Sequence, residues 1–351
     1  MNPPDAGHAL RNSVALSRLD DVRLVRLTGA DTWDALDHLC AGDLYVRDGQ
    51  LLHGLLLDDA AHPLADCYVG RDDEDYFLLA EGPAAEALTS HLAAHLPPGA
   101  DVTATDLTPD MGILGLDGPY AWEMLALVAG ADSIGLPYLT FFHHERWIVC
   151  RAGKTGEYGY LLVVPRGELD ALQARVLEAG AALDVARAAL ADLDQCALEN
   201  GFFNIRREGR EALTPIELQL QWRVSPRKTF VGRDALDRRR TEGVRQRLTS
   251  LTGPGPYAPG DAVHLADGPV GRVVNAGASP ARGDWVALAL LDVAWAHPGI
   301  GFTVRRGPDE VPARSVSPPV LNNRSLHVSP QLHSYATRGQ YAFPPLPRTS
   351  P

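Results

Sequence analysis

Apolar positions along the first 240 residues follow two periods. Stretches in which every second residue is apolar indicate strands, and stretches with apolar residues three and four apart indicate helices. Strand pairs prevail over strict strand–helix–strand alternation, so we predict an α+β fold. Strands are predicted over 20–30, 54–82 (as a meander), 111–118, 146–153 and 158–165, and helices over 30–40, 82–96, 119–131, 167–181 and 184–201.

The pattern changes after residue 243. Residues 245–321 lack a helical period and are rich in Gly, Pro and Val, with short apolar runs separated by turn residues. Such a pattern is typical of a small β-barrel or sandwich. Residues 322–351 are polar and rich in proline, so we expect a tail that either wraps the surface or stays disordered.

Composition narrows the class of protein. The chain has 351 residues with 32 basic and 44 acidic side chains, a formal net charge of −12, which disfavours nucleic acid as a partner. No apolar run approaches the roughly 18 residues of a membrane span, and no secretory signal is recognisable. The four scattered cysteines lack C-x-x-C spacing, and no close His/Cys cluster suggests a metal site. We therefore expect a cytoplasmic protein with reduced thiols that acts on a small molecule.

The tripeptide Gly153-Lys154-Thr155 has the spelling that ends a phosphate-binding P-loop. That motif requires a glycine five positions before Gly153, where Ile148 stands. No helix is predicted to open after Thr155; an alternating strand follows instead. We interpret the stretch as a glycine-rich turn between two strands.

The same turn carries a resemblance. Arg151, Gly153, Thr155-Gly156-Glu157, Gly159 and Tyr160 match "R-x-G-x-T-G-E-x-G-[FY]", a signature of the glycine-cleavage T-protein (aminomethyltransferase) family. In that signature Lys154 occupies a variable position. Further stretches resemble the family in the same order: "LGLDGPYA" (114–121), "ALENGFFN" (197–204), "TPIELQLQWRV" (214–224), "FVGRDAL" (230–236) and "GPVGRVVNAGASP" (268–280). The resemblance covers about residues 12–321.

The resemblance implies a T-protein-like ring of two α+β subdomains over residues 1–242 and a C-terminal small β-barrel over 243–321, with the proline-rich tail at 322–351. It also implies that a tetrahydrofolate pterin lies in the central hole. The family's catalytic aspartate falls on Asp66, in "AHPLADCYV". A carboxylate at the mouth of a strand can hold a protonated nitrogen or move a proton, so we expect Asp66 to line the central cavity as the catalytic residue.

Candidate cofactor-binding positions follow from the resemblance and from the aromatic residues beside its motifs. Two positions depart from the family: its glutamate after "G-[FY]" is Leu161, which cannot accept a hydrogen bond, and an arginine is replaced by Ala197. The candidates are Tyr160, Leu161, Glu157, Tyr120, Trp222 and Arg233.

Three functions are compatible with this pattern. The first is a tetrahydrofolate-dependent one-carbon transferase, moving a methyl or aminomethyl group from a small-molecule donor. The second is a diverged enzyme that has lost folate and performs acid/base chemistry on an apolar small molecule. The third is a non-catalytic folate-binding maintenance protein, against which Thr229 counts, since it stands where those relatives carry a cysteine. The sequence does not indicate a protein partner.

Overall fold

The computed structural model describes residues 5–266 and 268–348. Its α-helices are α1 (Ala6–Asn12), α2 (Thr32–Leu39), α3 (Ala85–His95), α4 (Ala121–Ala129), α5 (Leu169–Ala179), α6 (Leu190–Asn200) and α7 (Arg233–Glu242). Its strands are β1 (Ala15–Arg18), β2 (Arg23–Thr28), β3 (Leu51–Leu57), β4 (Pro63–Asp72), β5 (Asp75–Glu81), β6 (Thr103–Asp106), β7 (Met111–Asp117), β8 (Phe141–His144), β9 (Trp147–Cys150), β10 (Gly159–Pro165), β11 (Ala186–Ala188), β12 (Gln246–Gly253), β13 (Ala262–Leu265), β14 (Gly268–Ser279), β15 (Asp284–Asp292), β16 (Gly301–Arg306) and β17 (Asp309–Val316).

Five strands form the first sheet, in the order β3-β4-β5-β2-β6. Side chains alternate between the two faces of a strand, so neighbours such as Leu78 and Leu79 enter different cores. Leu78 packs with Leu36 of α2 and Leu88 of α3. Leu79 lies on the opposite face, in a cluster shared with Leu161 of β10. The first sheet is therefore covered by helices on one side and by the second sheet on the other.

Six strands form the second sheet, in the order β11-β1-β7-β10-β9-β8, and its outer face is covered by α4 and α5. The helix predicted over 184–201 is wrong in its first turn. Residues 186–188 form β11, which pairs in parallel with β1. This pairing occupies the backbone groups that a helix would need, and α6 begins only at Leu190, where Asp192 accepts a hydrogen bond from the Ala189 N–H at 2.8 Å.

The last six strands close into a barrel in the order β12-β15-β14-β13-β16-β17. Its interior is filled by alternate side chains, among them Leu251, Val273 and Phe302. The predicted α+β class with a small C-terminal barrel is thus confirmed, and the alternative of a sandwich is not what these strands form.

Residues 322–348, which we call the strap, run back over the second sheet's subdomain. Val328 and Tyr335 are buried in the core beneath α4. The Tyr335 N–H donates to a Glu123 carboxylate oxygen at 2.7 Å, and its hydroxyl donates to Asp184. The segment therefore wraps the surface, as one of the two expectations had it, and is not disordered over residues 322–348. Its first residues press on the glycine-rich turn at 153–158.

Asn200 of α6 and Asn323 of the strap both lie so close to Gly156 that a side chain there is costly. Gly156 has a φ of +79°, and a Cβ there would overlap Asn200 Oδ1 and lie 2.5 Å from Asn323 Nδ2. We expect Gly156→Ala to lower the free energy of unfolding by about 3 kcal/mol, the sum of a left-handed backbone and overpacking. Urea unfolding measures the difference.

Gly99→Ala is the matched control, because Gly99 has a similar φ of +80° but nothing within 4 Å of the added Cβ. It should cost only about 1 kcal/mol. Equal losses in the two variants would mean that Asn200 and Asn323 do not crowd Gly156.

Candidate functional site

A cavity of about 240 Å³ lies where the two sheets meet α6. Its walls are apolar around a small number of charged groups. The side chains and backbone that line it belong to Arg18–Val22, Tyr68, Leu79, Glu81, Asp117, Gly153–Thr155, Leu161, Leu190, Leu193, Asp194, Ala197, Phe203, Asn204 and Arg206.

The register of β7 and β10 decides which residues face this cavity. Asp117 pairs with Gly159, and Gly115 pairs with Leu161, so these four residues share one face of the sheet. Tyr160 lies between Gly159 and Leu161 in sequence and therefore points to the opposite face, into the core under α4. Leu161 therefore lines the cavity, whereas Tyr160 does not, because adjacent residues of one strand point to opposite faces of the sheet.

Lys154 is the cavity's central cation. Its ammonium lies 2.7 Å from Glu81 Oε1 and 3.1 Å from Asp66 Oδ2. Asp66, on β4, also accepts a hydrogen bond from Arg223 Nη2 at 2.6 Å, and its Oδ1 lies 2.9 Å from His53 Nε2. One buried carboxylate thus binds side chains from β3, from the glycine-rich turn and from the loop before α7.

The charge states of this cluster follow from its contacts. Burial alone would raise the pKa of Asp66, but Lys154, His53 and Arg223 together hold it well below its usual value. Burial would likewise lower the pKa of Lys154, but the Asp66 and Glu81 carboxylates raise it above the ordinary value. Burial lowers the pKa of His53. At neutral pH, Asp66 is therefore ionised and Lys154 is protonated.

A second ion pair continues the cluster along the wall. Arg206 donates to Glu81 and, at 2.5 Å, to Asp194 Oδ1 of α6. The cations Lys154, Arg206 and Arg223 therefore face the anions Asp66, Glu81 and Asp194. The inner charges of the cavity wall are balanced.

Asp117 is the titratable group of the cavity. Its Oδ1 accepts a hydrogen bond from Thr155 Oγ1 at 2.9 Å. Burial raises the pKa of Asp117 to about 7, against the opposing effects of Thr155 and of Arg11. The glycine signature makes room for this carboxyl, since a Cβ at Gly153 or Gly159 would come within 3.1 or 3.0 Å of Oδ1. The carboxyl can hold or release a proton near neutral pH.

The structure brings few of the sequence candidates to the cavity. Leu161 and the replaced position Ala197 line it. Asp66 was expected to line it but is buried behind Lys154, with 1% of its side chain exposed.

The other candidates lie elsewhere. Tyr120 is buried against Tyr335 of the strap, with ring centroids 5.2 Å apart. Glu157 is buried and accepts hydrogen bonds from the strap. Trp222 is 77% exposed, away from the cavity. Arg233 begins α7 and donates to the carbonyl oxygens of the preceding loop.

Sequence reasoning missed Lys154 and Asp117. A compositional signal existed for the first: the chain contains only two lysines, Lys154 and Lys228, among 32 basic residues. Both are partly buried and ion-paired, Lys228 with Asp37. For Asp117 the signal was a carboxylate at the strand-to-helix turn "LGLDGPYA", one of the motifs that carry the family resemblance.

The remaining expectations concern metals, thiols and membranes. Within residues 5–266 and 268–348, no cluster of three or more His, Cys, Asp or Glu side chains could hold a metal ion. Cys40, Cys67, Cys150 and Cys196 are buried and unpaired. None of the helices that the structure describes is long and apolar enough to cross a membrane.

Known proteins are similar to this chain in sequence and in fold. The profile of the GCVT N-terminal domain matches residues 5–228, and that of the glycine cleavage T-protein C-terminal barrel domain matches 246–321. An aminomethyltransferase of Alcanivorax borkumensis is 28% identical over 325 residues, covering 90% of this chain and 88% of that protein. One of Synechococcus sp. (strain CC9902) is 30% identical over 330 residues, with 89% and 88% covered.

The solved structures agree at the level of fold. The glycine cleavage system aminomethyltransferase T from Bartonella henselae superposes with a TM-score of 0.80 at 23% identity, covering 91% of this chain and 89% of that one. The two packed sheets and the terminal barrel of this chain thus have the fold of that aminomethyltransferase. The chain belongs to the glycine cleavage T-protein family. The predicted class of enzyme, a one-carbon transferase, is confirmed for this family by its aminomethyltransferase members.

The raised pKa of Asp117 has a measurable cost in stability. The folded value of about 7 exceeds the ordinary 3.8, so the native state binds a proton that the unfolded state releases between these values, and stability falls as pH rises through them. Asp117→Asn should therefore match the wild type near pH 4 and exceed its free energy of unfolding at pH 8 by up to about 4 kcal/mol. Urea unfolding across this range measures it.

Asp20→Asn is the control, because Asp20 lies exposed at the cavity mouth. Its stability should follow that of the wild type at both pH values. A gain in Asp117→Asn that is the same at pH 4 and pH 8 would contradict the buried, titrating carboxyl.

Proposed function

We propose that this chain transfers a one-carbon unit between a small-molecule donor and a reduced folate whose ring lies in the cavity between the two sheets. The observation that carries the proposal is the cavity between the two sheets, whose lining holds both the ion-paired amine of Lys154 and the buried carboxyl of Asp117. The aminomethyltransferase relatives support the same class of reaction.

A pterin fits the cavity only if a protein group accepts the hydrogen bonds that the edge of its ring donates. The amino and ring N–H groups need an acceptor, and a buried N–H without one costs about 1–3 kcal/mol. Leu161 offers none. Asp117 lies on the same sheet face as Leu161, and its Oδ2 accepts no hydrogen bond from the residues that the structure describes. Asp117 therefore supplies the acceptor that Leu161 lacks, and the residues present fit the ring.

The volume of the cavity and the balanced charges of its wall favour binding of a neutral ring inside the cavity, rather than of an entire charged ligand. The cavity's 240 Å³ is below the roughly 300–1,000 Å³ of common small-molecule pockets, so it accommodates a ring while the rest of the ligand extends to the mouth. The balanced ion pairs around Lys154 leave no net charge for an ionic head group to neutralise.

The chain's own residues then have distinct roles. When bound, the reduced folate supplies the nitrogen atoms that carry the one-carbon unit. Asp117 accepts hydrogen bonds from the ring and holds or releases one proton at its carboxyl, which its pKa near 7 permits. Asp66 stays ionised and fixes the Lys154 ammonium at the cavity wall. Asp66 is thus proposed as a positioning residue and Asp117 as the proton carrier.

One observation favours the second candidate, an enzyme that has lost folate. Leu161 and Ala197 make part of the wall apolar where the family resemblance implies polar contacts. In that case the cavity would take a smaller apolar molecule, with Asp117 still carrying the proton. Binding measurements separate the two.

Folate binding should release a proton. At pH 7 Asp117 is about half protonated, and ring N–H donors favour its ionised form, so up to about half a proton leaves on binding. Calorimetry with tetrahydrofolate in buffers of different ionisation enthalpy measures this number from the slope of the observed heat.

Asp117→Asn should bind without proton release, and Asp132→Asn, at an exposed aspartate outside the cavity lining, should release as much as the wild type. Saturable binding with no proton release in the wild type would contradict the role of Asp117. The absence of saturable binding would contradict folate itself and favour the apolar substrate.

A further inference from the structure

We infer that the strap is part of the cavity's construction, with Asn323 and Ser325 acting as positioning residues for Lys154 and Thr155. The inference rests on the proposed function only in treating those two residues as groups of the binding cavity. The strap residues on which the inference rests follow the matched C-terminal barrel domain, which ends at residue 321.

Glu157 is the first point of attachment. Its Oε1 accepts the backbone N–H of Arg324 at 3.1 Å. Its Oε2 accepts both the N–H and the hydroxyl of Ser325, at 2.7 and 2.6 Å. The Ser325 hydroxyl in turn accepts the N–H of Tyr158 at 2.8 Å. Four hydrogen bonds, three of them to a buried carboxylate, join the strap to the turn.

Asn323 is the second point of attachment, and it acts on the carbonyl of Thr155. That carbonyl accepts hydrogen bonds from Arg11 Nη1 at 2.7 Å and from Asn200 Nδ2 at 2.9 Å. Asn323 holds both donors: its Oδ1 accepts from the same Arg11 nitrogen at 3.3 Å, and its Nδ2 donates to Asn200 Oδ1 at 2.5 Å. The strap thus orients the two groups that fix Thr155.

The turn itself needs this support. Gly153 and Gly156 lack side chains, and glycine has more backbone freedom than any other residue, so the sequence gives the turn little rigidity of its own. Its cavity side carries the Lys154 ammonium and the Thr155 hydroxyl, which contact Asp66 and Asp117. A displacement of the strap therefore reaches both ends of the cavity wall through one short turn.

The composition of the chain makes this testable without any folate. Lys154 and Lys228 are its only lysines, and each is ion-paired, with 15% and 14% of the side chain exposed. Acetylation by an N-hydroxysuccinimide ester, followed by peptide mass spectrometry, reports the freedom of each amine separately. Lys228 lies beside Asp37, away from the strap, and serves as the internal reference.

Ser325→Ala and Asn323→Ala should speed acetylation of Lys154 about tenfold, the factor expected for losing one hydrogen bond to a charged network, and leave Lys228 unchanged. Ser325→Thr keeps the hydroxyl and should restore the wild-type rate. Ser329→Ala, which removes only a contact within the strap to Gln331, should have no effect.

A second readout is the titration of Asp117, followed by carbon NMR of labelled aspartate. The groups that face Asp117 are Thr155 and Glu157 of the turn, Arg11 of α1 and Cys196 of α6. The Thr155 hydrogen bond lowers the pKa of Asp117, so releasing the turn should move the midpoint upward in Ser325→Ala and not in Ser329→Ala.

Selective acceleration at Lys154 together with the upward shift supports the inference. Unchanged rates in both strap variants, or equal acceleration of Lys154 and Lys228, would overturn it, because the second result means general unfolding. Both readouts use the ligand-free protein, so failure to bind tetrahydrofolate would contradict the proposed function and leave this result standing.

Discussion

The cavity depends on the interaction of the ionised Asp66 carboxylate with its three partners. A buried ionised group costs several kcal/mol unless its charge and lone pairs are met, so its partners have to come together when the chain folds. Those partners are Arg223 at 2.6 Å, His53 at 2.9 Å and Lys154 at 3.1 Å. They belong to separate parts of the sequence, and only the native arrangement of the two sheets satisfies the carboxylate. The position of the Lys154 ammonium is a result of that requirement.

Much of the fold was predictable because its signals are local. The apolar pattern identifies every strand of the first sheet except β6, and β7, β9 and β10 of the second sheet, but not β1, β8 or β11. Gly201, in left-handed conformation, ends α6 as a helix-terminating glycine does. The failure at Ala186–Ala188 is instructive. These residues have no strand character of their own, and they extend only because β1 offers its free edge. Such a decision depends on a partner more than 150 residues away, which a local pattern does not contain.

The site was less predictable, for two physical reasons. Tyr160 and Leu161 were both candidates, yet the pleat of β10 sends them to opposite faces, and strand register alone decides which faces the cavity. The protonation of Asp117 depends on burial between Gly153 and Gly159, which the chain reaches only after folding. The spacing of Gly153, Gly156 and Gly159 was recognisable in the sequence, but the Asp117 carboxyl that packs against this turn was not. Lys154 stands at a position that varies in the signature, and its importance is visible only from its buried ion pairs.

The strap has a consequence for the order of assembly. Arg11, in the first helix, donates to Asn323, 312 residues further along the chain. During synthesis every other wall of the cavity emerges before this contact becomes available, and domains tend to fold as they emerge. The glycine-rich turn therefore remains incompletely held in a nascent chain whose sheets and barrel are already formed. In this protein the cavity is closed by a segment that is translated after the barrel, so the binding site becomes complete only once the barrel has been synthesised.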